Sequence, residues 1–195
     1  IRRSFEPLLA QRRSSNDHQV RRGEFIDQLE VVRRSGLPNH TPRHVIIELC
    51  TGRLGSGACS PHRMGTIQRT PMTKRRFARL VSQLSESQDA LITLGGVGDP
   101  LQHPDCLEFI SMADEAGIQG VHVRTELQCS PELVEGIARS PAKVISVDLN
   151  ADTPETYRRA MGHDGFKTVM ENMERLLRCR RMINGSGTAA MALPW

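Results

Sequence analysis

The chain has 195 residues, of which 38% are hydrophobic and only 4% aromatic, and its formal net charge is +4. No apolar run is long enough to cross a bilayer and no signal peptide is visible, so we expect no membrane partner. The basic residues are scattered without interleaved aromatic residues, which argues against specific nucleic-acid binding. The five cysteines are widely spaced, do not suggest a disulfide framework and favour a cytoplasmic location.

The composition changes near residue 42. Residues 1–42 are polar and rich in arginine, and we interpret them as an N-terminal segment or linker. Residues 43–195 are predicted to form a single domain. Because the chain starts at Ile1 and stops inside an apolar run at Trp195, we expect it to be a piece of a longer protein.

From residue 44 onward, short β-branched runs alternate four times with segments of helical spacing. The predicted strands lie near 44–50, 90–95, 120–125 and 143–149. The predicted helices lie at 71–87, 104–116, 131–139 and 153–181, the last interrupted between 162 and 165. This alternation predicts parallel strands in an α/β fold, namely a partial (β/α) barrel with four units and the start of a fifth near Thr188.

The second predicted strand ends in a glycine-rich turn. Gly95, Gly96 and Gly98 would let the backbone approach a ligand, and Asp99 follows them. The carboxyl ends of parallel strands are where such folds bind ligands, so we predict these residues to bind a cofactor. A purely steric need for glycine in a strand-to-helix turn is the alternative.

Polar residues also follow the third and fourth predicted strands. Thr125 and Glu126 are expected to face the same opening as Asp99, unless they only satisfy a turn. Ser146 and Asp148 share one face of their strand by strict alternation, and in a barrel that face points inward. We therefore add these four residues to the predicted ligand site.

Cysteine and histidine residues near the first strand suggest a metal site. Cys50, Cys59 and His62 are candidate ligands for iron–sulfur or zinc, with His44 as a further zinc ligand if the loop folds back. The alternative is that Cys50 ends a buried strand and Cys59 is a free thiol. No functional role is predicted for His103, His122 or His163.

Several separated segments match one family pattern in order. The chain resembles the radical S-adenosylmethionine (SAM) enzymes, whose second strand ends in Gly-x-Gly-Glu-Pro followed by Leu and His-Pro. The matching segments are Gly96–Pro100 with Leu101, His103–Pro104, Pro131–Val134, Ile145–Asp148, Thr153–Tyr157 and Phe166–Leu176. The resemblance covers about residues 44–181 and implies the partial barrel of that family.

The resemblance also implies cofactors and partners. These would be SAM, a four-iron cluster held by the loop Cys-x3-Cys-x2-Cys, an electron donor, and a small-molecule or peptide substrate. The implied reaction is reductive cleavage of SAM at the cluster, followed by hydrogen abstraction from the substrate.

This chain departs from the family pattern in its cluster loop. Aligning Cys59 to the second cysteine places Gly55 at the first position and His62 at the third. Two functional hypotheses follow. One is a radical SAM enzyme with an atypical cluster loop, and the alternative is a non-catalytic, cluster-less barrel module that binds a ligand or partner.

Overall fold

The sheet contains four parallel strands. The computed structural model describes residues 42–55, 57, 67–87 and 89–184 of the chain. Neighbouring strands pair in the order β1–β2–β3–β4. Their bounds are His44–Ile47 for β1, Leu91–Leu94 for β2, Gly120–Thr125 for β3 and Val144–Val147 for β4. The predicted parallel strands are confirmed, and three of them are shorter than predicted because the ends of each run continue into loops.

A helix follows each strand in the described residues. The helices are α1 (Lys74–Ser85), α2 (Cys106–Glu115), α3 (Pro131–Arg139), α4 (Pro154–Met161) and α5 (Phe166–Asn184), and a 3-10 turn at Pro100–Gln102 precedes α2. Ser130 and Thr153 start α3 and α4 by accepting hydrogen bonds from main-chain N–H groups three residues later, each with proline at the first helical position. Gly162, with φ of 80°, ends α4. The predicted interruption of the last helical region is therefore confirmed.

The two faces of the sheet differ in environment. Alternate residues such as Ile92, Val123 and Val147 are buried in one apolar core together with helix residues such as Phe77 and Phe109. The opposite face is open, since Ile46, Leu91 and Val144 are 40–67% exposed. We call this open side the inner face. By register and alternation its polar and small members include His44, Glu48, Thr93, Gly95, Gly120, His122, Arg124, Ser146 and Asp148.

Two predictions fall partly or wholly outside the described residues. These are the N-terminal segment 1–42 and a fifth strand near Thr188. The division of the chain into a segment and a barrel domain therefore stays a prediction. Among the helices that the structure describes, none combines the length and apolar character needed to cross a membrane.

Asn172 connects α5 to the loop that follows β3. Its side-chain amide is buried and donates to the carbonyl oxygens of Leu127, at 3.0 Å, and Cys129, at 2.9 Å. Leu127 is itself fully buried and adopts φ of 56°, a left-handed conformation that is unfavourable for leucine. The two hydrogen bonds therefore hold the loop in a conformation that its own residues do not favour.

Asn172→Ala should lower the free energy of unfolding by about 2 kcal/mol, because it leaves two carbonyl groups without their donor. Asn172→Asp should cost at least as much, since it keeps the size but replaces the amide donor with oxygen. Denaturant unfolding measures both, and Glu171→Ala is the control because Glu171 is exposed. Equal stability of Asn172→Asp and the wild type would contradict the assigned role.

Candidate functional site

The glycine turn after β2 is shaped by the chain itself. A Cβ on Gly98 would lie 2.2 Å from the carbonyl oxygen of Cys50, so only glycine fits there. Gly96 has φ of 142°, and a Cβ on it would lie 2.8 Å from Oε2 of Glu48. The steric interpretation thus accounts for Gly96 and Gly98. At Gly95 a Cβ would meet only ordinary contacts, the nearest being 3.5 Å away, so no such need applies there. Ligand contact by these three glycines stays a prediction.

Asp99 joins the ends of β2 and β3. Its carboxylate is only 2% exposed and accepts hydrogen bonds from Leu101 N at 2.9 Å, Thr125 Oγ1 at 2.8 and 2.9 Å, and Glu126 N at 2.8 Å. Burial raises the pKa of Asp99, although these donors and Arg53 act in the opposite direction. The structure brings Asp99, Thr125 and Glu126 together, but all three are buried instead of facing an opening, and donors from the chain already occupy the Asp99 carboxylate. Direct ligand contact by Asp99 and Thr125 stays a prediction.

Glu126 forms a buried ion pair with Arg53 of the loop after β1. Arg53 Nη1 lies 3.3 Å from Glu126 Oε1, and the two side chains are only 11% and 2% exposed. Neither Arg53 Nε nor Glu126 Oε1 has a hydrogen-bond partner among the described residues. Burial raises the pKa of Glu126 to about 7; Arg53 opposes this shift, and Asp99 and Asp148 add to it. Arg53 is not among the site residues predicted from the sequence.

The raised pKa of Glu126 predicts a pH-dependent stability. Between its ordinary pKa near 4.5 and about 7, the folded chain binds more protons at this site than the unfolded chain, so stability falls as pH rises through that window. Relative to Glu126→Gln, the wild type should lose about 3 kcal/mol between pH 4.5 and 7.5. Denaturant unfolding of both proteins across this range measures the difference. Parallel stability curves would show that Glu126 does not titrate in this window.

The inner face presents a second group of polar residues. Arg124 Nε donates to both carboxylate oxygens of Asp148, at 3.0 and 2.9 Å, and Arg124 is paired in register with Ser146. Ile145 and Val147 point into the core instead. The predicted sharing of one face by Ser146 and Asp148 is confirmed, while their role in ligand binding stays a prediction.

Four side chains form a hydrogen-bonded ladder across the inner face. His44 Nε2 lies 2.8 Å from Thr93 Oγ1, Thr93 Oγ1 lies 3.1 Å from His122 Nδ1, and His122 Nε2 lies 2.8 Å from Ser146 Oγ. Each strand contributes one member. No role had been predicted for His122, although its alternation with the apolar Val121 and Val123 indicated that it faces away from the core.

The described residues do not supply a metal site. Cys50 is partly buried, its thiol donates to the Asp99 carbonyl oxygen at 3.4 Å, and burial raises its pKa above the ordinary value. Within the described ranges no three His, Cys, Asp or Glu residues are grouped to hold a metal. Cys59 and His62 lie outside these ranges.

The extended zinc hypothesis, with His44 beside Cys50, is not supported. His44 bonds to Thr93 and lies six residues before Cys50, which corresponds to about 20 Å of extended chain. That distance is too large for both residues to bind one ion.

The position aligned to the first cluster cysteine also offers no ligand. A Cβ built on Gly55 would lie 2.9 Å from Met161 Cε and 3.7 Å from Glu126 Oε1. A negatively charged iron–sulfur cluster is stabilised by hydrogen-bond donors around it. The polar side chain beside Gly55 is instead a carboxylate, that of the buried Glu126. The described residues therefore do not fit a three-thiolate cluster.

Comparison with known proteins identifies the family. The family model of the radical SAM superfamily matches residues 57–187, and the chain belongs to that superfamily. No curated protein matches the chain.

Solved structures share the fold. SuiB of Streptococcus suis bound to the precursor peptide SuiA is 14% identical with a TM-score of 0.60, covering 86% of this chain and 35% of that protein. BtrN with AdoMet and 2-DOIA is 14% identical with a TM-score of 0.55, covering 70% and 55%. anSMEcpe with AdoMet and a peptide bound is 12% identical with a TM-score of 0.60, covering 78% and 42%. The chain thus has the partial (β/α) barrel fold and spans about a third to a half of the length of these proteins.

Proposed function

We propose that this domain binds SAM at the inner face and glycine turn, and that its own cluster loop does not hold a complete four-iron cluster. This is the cluster-less alternative inferred from the sequence. The observation that carries it is the polar group Arg124, Ser146 and Asp148 at the carboxyl ends of β3 and β4, on the face that the helices leave open. The likeness to AdoMet-bound structures supports the choice of ligand.

The residues on the inner face suit the adenosine part of SAM. The Asp148 carboxylate keeps free lone pairs after accepting from Arg124 Nε and can accept hydrogen bonds from ribose hydroxyl groups. The Arg124 side chain is 58% exposed, so a ligand can approach over it. Gly95 has no side chain to block the inner face beside Arg124. Bound SAM would supply a reactive sulfonium centre, and the chain would orient it.

SAM binding can be measured by isothermal titration calorimetry on metal-free protein. We expect wild-type protein to bind, and Asp148→Asn to weaken binding at least about fivefold, because a carboxylate accepts stronger hydrogen bonds than an amide. Asp152→Asn is the control, since Asp152 is exposed and follows the same strand. No heat of binding by the wild type at millimolar SAM would refute the proposal.

A second candidate function is reductive cleavage of SAM on a small-molecule or peptide substrate. Membership of the superfamily favours it, and two of the similar structures hold a peptide, which makes peptides the first substrates to test. This function requires an electron donor and the family's cluster, for which only Cys59 is in register. The described residues do not fit that cluster.

Iron and sulfide content after anaerobic reconstitution separates the two candidates. We expect far fewer than four irons per chain in the wild type, because a neutral imidazole at His62 supplies a bond without the charge of a thiolate. Gly55→Cys with His62→Cys should increase bound iron, since the Met161 methyl group beside Gly55 can move aside.

Cys59→Ala is the control for the iron experiment and should abolish the gain when added to the double substitution. A wild type that binds nearly four irons, and loses them in Cys50→Ala, would show that Cys50 is a true ligand. That outcome would favour the radical enzyme.

A further inference from the structure

We propose that His122 is a positioning residue that orients the Ser146 hydroxyl toward a ribose hydroxyl of bound SAM. The inference rests on the proposed function. It is drawn from the ladder His44–Thr93–His122–Ser146, in which His122 occupies the position between two hydroxyl groups on neighbouring strands. Ser146 has no other hydrogen bond to a described residue, so its remaining hydrogen-bonding capacity faces the inner side of the sheet.

The ladder is self-consistent in two directions. In one, Ser146 donates to His122 Nε2, His122 Nδ1–H donates to Thr93, and Thr93 donates to His44. In the other, His44 donates to Thr93, Thr93 donates to His122 Nδ1, and His122 Nε2–H donates to Ser146. The Ser146 proton is then free to donate to a ligand. Ser146 can thus offer a ligand either an acceptor or a donor. A sugar hydroxyl, which is both donor and acceptor, matches this property better than a group with a single role.

A neutral imidazole is what allows both directions. Burial lowers the pKa of His122; His44 of β1 and Arg124 of β3 add to this effect, and Asp148 after β4 opposes it. The ring therefore stays neutral near pH 7, with one nitrogen donating and the other accepting. An imidazolium would donate from both nitrogens. Ser146 would then always accept from His122, and the choice between the two directions would be lost.

The ladder lies beside a cavity with few charged groups. A cavity of about 320 Å³ opens at the inner face, lined by His44, Thr93 and His122 together with apolar Leu91 and Val144. Lys143 is the only fully charged side chain in its lining, and no carboxylate contributes. Few side chains other than the ladder members can therefore compete for the two imidazole nitrogens, which bond to Thr93 and Ser146.

The test compares substitutions that retain one end of the imidazole. In His122→Gln the amide reaches the position of Nε2 and can still bond to Ser146, whereas in His122→Asn it reaches only the position of Nδ1. By calorimetry, His122→Asn and Ser146→Ala should each weaken SAM binding about fivefold, and His122→Gln by no more than about twofold. The double variant His122→Asn with Ser146→Ala should bind as Ser146→Ala does, because both substitutions remove the same contact.

A readout beyond affinity separates positioning from a general structural role. As the pH is lowered from 8, the wild type should begin to lose SAM affinity only below 6.5, the ordinary pKa of histidine, because burial lowers the pKa of His122. His122→Gln retains His44 but lacks this ring, and should not show the same loss. If His122→Asn does not fold, Thr93→Val removes the other hydrogen bond of the same ring. Thr93→Val should weaken SAM binding when it is made in the wild type, and should not weaken it further when it is made in Ser146→Ala.

The outcomes distinguish this inference from the proposed function. If the wild type fails to bind SAM, the proposed function fails and the inference falls with it. If the wild type binds SAM and Asp148→Asn weakens binding, but His122→Asn and Ser146→Ala affect affinity additively, the proposed function stands and only the role of His122 is overturned. Equal losses in His122→Gln and His122→Asn would also overturn that role.

Discussion

The buried residue Asp99 holds together the loops on which this end of the sheet depends. Its carboxylate binds donors from the 3-10 turn and from the end of β3, its N–H donates to the Gly52 carbonyl at 2.9 Å, and its carbonyl accepts from Cys50. Three chain segments that follow β1, β2 and β3 thus converge on one residue. A buried carboxylate without such donors would be strongly unfavourable, so the three segments are ordered together.

This convergence divides the carboxyl end of the sheet into two parts. Asp99 and Thr125 are buried on the core side, where their polar atoms are bonded within the chain. Arg124, Ser146 and Asp148 lie on the inner face, where Arg124 is largely exposed. The first part fixes the loops and the second can contact a ligand. A single predicted site therefore corresponds to a buried scaffold and an open face that we propose to bind SAM, which explains why the same sequence pattern suggested both structural and functional interpretations.

The sequence predicted local features well and features that depend on register poorly. Strict alternation in β4 correctly placed Ser146 and Asp148 on one face, and the predicted helix starts at 131 and 153 agree with α3 and α4, because both signals depend only on nearby residues. The ladder through His122 could not be predicted, since it requires knowing that Thr93 and His122 are paired across two strands. The Arg53–Glu126 pair could not be predicted either, because the path of the loop after β1 decides which residue Arg53 meets.

The cluster positions and the inner face are separate, and this separation determines how the loss of cluster ligands affects the domain. The cluster positions lie in the loop after β1, whereas the ladder and the Arg124–Asp148 pair are held by hydrogen bonds between strands. Among the described residues, none of these inner-face hydrogen bonds involves a residue of that loop. This domain can therefore lack a complete set of cluster ligands and keep the inner-face groups that we propose to bind SAM. The Arg53–Glu126 pair connects the loop after β1 to the segment that follows β3.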